Sequence, residues 1–224
     1  MKILFALLCI FLSVSMAMNL IKDGTSSKIP DIQQIIEVNV GGVDLIADEI
    51  ISFSQNKLKV QYTTFGGKIP AFDVLLDFTA GTMFFYQNLT GECTVSKIVK
   101  IDFEKYYTDL ITHHVKYIGK RGQYLDLYEI KHPKEKGSRT WLYGQWASGE
   151  DSKVFYPTRF QSHHPSQKVA DYSGEWLDVI TEPHITNATF DYPECQQANT
   201  RKLDIPFTVG ILGVNSDVLI SLMN

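Results

Sequence analysis

From Ile36 onward the chain repeats one pattern: short runs in which apolar and polar residues alternate, each closed by a turn signal. Ile36-Glu37-Val38-Asn39-Val40 stops at Gly41-Gly42, Val43 to Phe53 stops at Gln55-Asn56, and Lys57 to Tyr62 stops before Gly66-Gly67 and Pro70. A period of two sends successive side chains to opposite faces, so each run predicts a β-strand. Phe72 to Phe78 and Met83 to Gln87 flank Thr79-Ala80-Gly81, a connection whose glycine can supply a positive φ. Gln123 to Lys131, Arg139 to Trp146, Lys153 to Phe160 and Lys168 to Trp176 continue the series. One segment breaks it. Phe103, Tyr106, Tyr107, Leu110 and Ile111 fall at helical spacing within Asp102 to Val115, which predicts a short amphipathic helix crossing the sheet. Many strands joined by short turns, with one helix, predict a mainly β domain built on a large antiparallel sheet, closed or strongly curved.

A chain of 224 residues, 44% of them hydrophobic, is large enough to enclose one sizeable core. Its formal charge of −4, with no clustering of Lys or Arg, argues against nucleic acid as a partner.

Met1-Lys2, the apolar run Ile3 to Leu12 and the small residues up to Ser15-Met16-Ala17 fit the three parts of a secretory signal peptide over residues 1–17. The apolar run is short for a membrane span, so the chain is not expected to be transmembrane. The expected layout is then a polar lead over 18–34, a single β-rich domain over 35–202, and a C-terminal strand and helix over 203–224. Cleavage would remove Cys9 and leave Cys93 and Cys195. In an oxidising compartment two thiols most simply pair with each other; two free buried cysteines are the alternative. Asn88-Leu-Thr90 and Asn187-Ala-Thr189 are N-glycosylation sequons, consistent with a secreted, extracellular protein or one of a secretory or lysosomal lumen.

No residue set nominates a catalyst. His113-His114 and His163-His164 are adjacent pairs, which lack the spacing of a chelating helix face. Asp73 and Asp77 share a strand face about 13 Å apart, too far for a glycosidase pair, and read as solvent-facing polar positions. Gly-x-Ser-x-Gly and phosphate-binding glycine patterns are missing, so no enzyme activity is expected. Aromatic residues stand out instead, on both parities of several strands. A second apolar face needs a cover, which packing of two sheets or a ligand-lined concavity could each provide. Chosen on parity, the candidate pocket residues are Phe84, Tyr86, Tyr128, Trp141, Tyr143 and Trp146.

Phe72-Asp-Val-Leu-Leu-Asp-Phe78, Gly81-Thr-Met-Phe-Phe-Tyr86 and the sequon at Asn88 ahead of Cys93 resemble the ependymin-related proteins. Arg139-Thr-Trp-Leu-Tyr-Gly144 and Ala188-Thr-Phe-Asp-Tyr-Pro-Glu-Cys195 resemble that family's later strand and closing Pro-x-Cys segment. The sequence departs from it at Gly144-Gln145-Trp146, where many relatives carry a further cysteine. The resemblance implies a half-barrel of curved antiparallel sheets, like the bacterial lipoprotein carriers, with the helix on its concave side above an apolar pocket. It also implies hydrophobic or lipid ligands, an association with calcium, and dimers. No organic cofactor is expected, and structural calcium and a homodimer are left open by the resemblance; no metal ligand can be named.

These readings converge on a secreted glycoprotein that binds a hydrophobic ligand of lipid type in a sheet-lined pocket, without catalysis. The alternative is an extracellular matrix or cell-adhesion glycoprotein that binds calcium weakly and acts through protein contacts.

Overall fold

In the computed structural model the described residues are 30–40, 43–64, 71–98, 100–131, 137–148, 153–163, 165, 172–181, 183–192 and 195. The expected signal peptide over 1–17, most of the expected lead over 18–34 and the expected extension over 203–224 lie outside them.

Eleven strands form one antiparallel sheet. In chain order they are β1 (Ile32–Val40), β2 (Val43–Ser52), β3 (Lys57–Thr64), β4 (Phe72–Asp77), β5 (Thr82–Gln87), β6 (Glu92–Lys97), β7 (Val115–Arg121), β8 (Leu125–Lys131), β9 (Arg139–Ser148), β10 (Lys153–His163) and β11 (Tyr172–Thr181). The helix α1 (Phe103–His114) lies between β6 and β7. In space the order is β6-β5-β4-β3-β2-β1-β11-β10-β9-β8-β7, two meanders joined where β1 pairs with β11.

That order forces curvature. β6 and β7 are the two edges, yet the chain joins them through Ile98 to Asp102 and α1 alone. Ten strand spacings of about 4.8 Å would separate the edges of a flat sheet by roughly 48 Å, whereas this connection spans roughly 40 Å even when its non-helical residues are stretched. The sheet therefore bends toward the face that α1 crosses, and its edges do not pair.

The register identifies that concave face. Ile32, Gln34, Ile36 and Val38 on β1 stand opposite Ile51, Glu49, Ala47 and Leu45 on β2. The row continues through Leu58, Val60 and Tyr62, then Phe72, Val74 and Leu76, then Met83 and Phe85. On the other side of β1 it runs through Trp176 and Gly174 to Phe160, Leu142 and Tyr128. All these side chains are buried except Trp176, which is half-buried. Gly174 is required by close approach, because a Cβ there would lie 2.6 Å from the Phe160 ring and 2.7 Å from the Glu37 carbonyl oxygen.

The structure extends the sequence reading in three places. β1 begins at Ile32, four residues before Ile36, because the polar Gln34 faces inward and hydrogen bonds there. β6 has Thr94 and Ser96 opposite Phe85 and Met83 and Cys93 and Val95 on its other face, so its inward face is polar. β7 follows α1 directly, with Val115 already extended and no turn residue to announce the change. The last strand is also displaced, to Tyr172–Thr181 from Lys168 to Trp176.

Candidate functional site

α1 is fixed at its N-terminal end. Asp102 caps it, accepting from the Lys105 amide at 3.0 Å. Asn56, held at φ +57 in the β2–β3 turn, donates to the Ile101 carbonyl at 2.8 Å and accepts from the Phe103 amide at 2.9 Å. Phe103 and Tyr107, one turn apart, are fully buried. Phe103 stacks on Phe78 and Phe53 at 4.7 and 5.3 Å, and Tyr107 packs 5.3 Å from Phe53. Phe53 and Phe78 continue the inward parity of β2 and β4, so α1 seats on the concave face. Beside this anchor lies an open groove of about 500 Å³, lined by Phe53, Asn56, Phe78 and Thr79 from the sheet and by Lys100, Ile101, Asp102 and Glu104 from the chain leading into α1.

Polar side chains interrupt the apolar face at its centre. Gln34 and Glu49 are cross-strand partners, at most 1% exposed, and the Gln34 amide donates to the Glu49 carboxylate. The Trp176 indole donates to the Gln34 side-chain oxygen at 3.4 Å. Burial, reinforced by the charge of Glu49, pushes the Tyr107 phenol well above its ordinary range, and burial pushes Tyr106 up to about 12.

The six residues chosen on parity fall into different places. Tyr128 and Trp146 come together on the concave side near the β7 edge, where the indole donates to the phenol oxygen at 2.8 Å. Tyr117 joins them, its ring 5.3 Å from Tyr128 and its hydroxyl donating to Asp126 at 3.1 Å. Burial raises the Tyr128 phenol, with Asp126 and Tyr117 adding to the effect and the Trp146 hydrogen bond opposing it. Trp141 and Tyr143 lie on the other, convex face of β9, opposite Glu129 and Leu127, with the Arg121 guanidinium 5.8 Å from the Tyr143 ring. Phe84 and Tyr86 lie on the convex face of β5, far across the sheet. The six therefore do not surround one space, and none lines the groove beside α1.

The cover over Tyr86 is the chain itself. Thr189, Phe190, Tyr192 and Cys195 lie against the convex face of β3 to β6. Lys59 donates to the Thr189 carbonyl at 3.1 Å, Phe190 is buried near Lys57, and Tyr192 packs 5.9 Å from Tyr86. Cys93 and Cys195 are disulfide-bonded, with Cα atoms 5.2 Å apart. Asp73 is beneath this segment rather than facing solvent: it is 5% exposed and accepts from Tyr192, Gln61 and Asn88 at 2.9, 3.0 and 3.3 Å. Asp77 pairs with Lys57 at 3.5 Å. Parity showed that β5 needed cover on both faces; the sequence held no sign that its own C-terminal segment supplies the second.

Asn88 and Asn187 are both exposed, in the β5–β6 turn and at the start of a 3-10 turn over Asn187–Phe190. Among the described residues no group of three or more His, Cys, Asp or Glu side chains is arranged to hold a metal ion, and no helix is long and apolar enough to cross a membrane.

No protein-family model matches the sequence, and no curated protein matches it in sequence. Among solved structures, an uncharacterised conserved protein from Thermus thermophilus is similar over 77% of this chain and 91% of its own, with a TM-score of 0.50 and 13% identity. A domain from Vibrio parahaemolyticus that carries the description outer membrane lipoprotein-sorting protein aligns over 80% of this chain and 95% of its own, at a TM-score of 0.41 and 11% identity. A chain of the MucA/MucB complex of Pseudomonas aeruginosa aligns over 74% of this chain and 56% of its own, at 0.41 and 9%. The Thermus likeness is one of fold.

Proposed function

We propose that the chain is a secreted glycoprotein, ependymin-like in the sense of its sequence motifs, that holds a hydrophobic ligand of lipid type against the concave face without chemical turnover. The supporting observation is the open groove beside the α1 anchor, on the apolar concave face. A broad apolar face built from most of the strands is crossed, among the described residues, by one twelve-residue helix that plants two fully buried aromatic side chains, Phe103 and Tyr107. Apolar clefts with a few placed polar groups are the usual small-molecule sites. The groove beside the α1 anchor opens onto Phe53 and Phe78 of this aromatic cluster. Cys93–Cys195 and the two exposed sequons fit passage through an oxidising compartment.

The test is native mass spectrometry of protein expressed through a secretory pathway and purified without detergent, before and after organic extraction. A heterogeneous extractable mass of lipid size supports the reading. A clean apo monomer that takes up no fatty acid, long-chain alcohol or amine, or phospholipid probe overturns it. A second reading, a glycoprotein acting through protein contacts, draws on Tyr117, Ile118 and Tyr124, exposed by 49, 48 and 73% at the β7 edge and the turn that follows it. A clean dimer in the same spectra would favour it.

A further inference from the structure

The polar spot at the centre of the concave face has a feature that packing does not require. Tyr107 is fully buried, and its hydroxyl has no hydrogen-bond partner among the described residues. Its ring contacts with Phe53 and Phe103 would serve a phenylalanine equally well. A buried hydroxyl left without a partner costs stability, and a native structure that keeps one needs a reason. The surroundings offer one. Tyr107 packs on Phe53, and two inward positions back along β2 from Phe53 stands Glu49, buried and hydrogen-bonded to Gln34 among apolar neighbours; the charge of Glu49 adds to the effect of burial on the phenol. Phe53 both packs on Tyr107 and lines the open groove at the start of α1, so one ring stands against the groove on one side and against Tyr107 on the other.

Resting on the carrier reading above, we propose that Tyr107, Glu49 and Gln34 form a head-group subsite for an amphiphile whose head is an uncharged or cationic hydrogen-bond donor, such as a long-chain alcohol or amine. Glu49 accepts from the head, and the Tyr107 hydroxyl exchanges the partner it lacks for one on the ligand. A carboxylate or phosphate head would have to lose its water beside the carboxylate of Glu49, and is disfavoured.

The experiment compares four probes of equal chain length, dodecanol, dodecylamine, dodecanoate and dodecane, competing for the secreted full chain near neutral pH by native mass spectrometry. The expected result is that the alcohol and the amine bind ~10-fold or more tightly than dodecanoate and dodecane. Y107F should erase the advantage of the alcohol over dodecane while raising the Tm of the unliganded protein, because it removes a hydroxyl without a partner. E49Q should bring dodecanoate up toward the alcohol. If all four probes bind alike, if dodecanoate wins, or if Y107F leaves the preference intact, the subsite is overturned and the carrier reading stands. If none of the four binds, the subsite is overturned, and if no phospholipid probe is taken up either, the carrier reading falls with it.

Discussion

The two halves of the sheet are made of similar strands but are finished differently. From β2 to β6 the register runs without a break, and β4 is buried on both faces: Phe72, Val74 and Leu76 toward the concave side, Asp73 and Leu75 toward the convex side. From β1 across to β7 there are three register shifts, at Ile35/Ile36 against β11, at Pro157/Arg159 in β10 and at Tyr117/Gly119 in β7. There Tyr156, Leu177 and Ile180 are exposed on the strands, whereas among the described residues the exposed large hydrophobic side chain of the first half, Leu89, is in a turn. Bulges bend and twist a strand, and Pro157 sits at one, where a missing amide is tolerated. One half is a regular slab clamped from outside by its own chain; the other is an irregular, more open wall. The difference teaches that the covalent tie, more than strand composition, decides which half is buried twice.

The largest test removes that tie. Replacing Cys93 and Cys195 with serine opens a loop spanning 102 residues of separation. The chain-entropy model puts the loss at about 4 to 5 kcal/mol for a loop of this size. Denaturant unfolding should show a loss of this order, and proteolysis should begin within 183–195. Cleavage starting instead in β7 or β8 would break the comparison, because the open wall would then be the weaker half even without the clamp.

Next in size is the anchor of α1. F103A removes a fully buried ring stacked on Phe53 and Phe78 and should cost about 3 to 5 kcal/mol. Hydrogen exchange should then quicken in α1 and in the turns carrying Asn56 and Phe78, with β8 and β9 little changed. Equal quickening in both halves would show that α1 staples the whole sheet rather than its regular half.

Alkaline pH gives a third probe. Tyr106, at about 12 in the folded chain against 10.0 when unfolded, holds its proton more tightly when folded. Its contribution is therefore complete below pH 10 and lost as pH rises through 12; two pH units correspond to about 2 to 3 kcal/mol, an order-of-magnitude figure. Tyr107 shifts in the same direction. Phenolate absorbance and far-ultraviolet dichroism should change together in that window, and Y106F should move the dichroism transition upward. A phenolate step that Y106F removes and that occurs while the fold persists would mean that α1 lifts without global unfolding, which would sharpen the picture of a helix seated at one end.

Much of this architecture could be read directly from residue order. Alternation located most of the strands and the 3.6-residue spacing located α1, because both signals arise from one-sided burial. β6 and β7 were not delimited, since β6 offers only Cys93 and Val95 as alternating apolar positions and β7 leaves a helix with no turn to mark its start. The disulfide followed from cysteine arithmetic. Parity alone could not foresee where its two ends bring the chain. Parity states which residues share a face, not which segment lies over it, so Phe84 and Tyr86 were grouped with Trp146 although they lie across the sheet and on its other side. Glu49 and Gln34 read as routine polar positions of their strands; only the register of β1 on β2 shows them buried against each other.

The smallest effect belongs to the open wall. Tyr128 accepts a hydrogen bond from the Trp146 indole at 2.8 Å and is 5% exposed, while Tyr117 beside it is half exposed. Y128F removes the acceptor and leaves the indole N–H to find water, which the half-buried position of Trp146 allows. The expected cost is about 1 kcal/mol, the usual net value of a single hydrogen bond whose donor can be rehydrated. A loss of about 3 kcal/mol would mean that Trp146 is sealed from water when its partner goes, as a buried donor is. The wall around β8 and β9 would then be as closed as the clamped half, and the contrast between the two halves would rest on regularity of register alone.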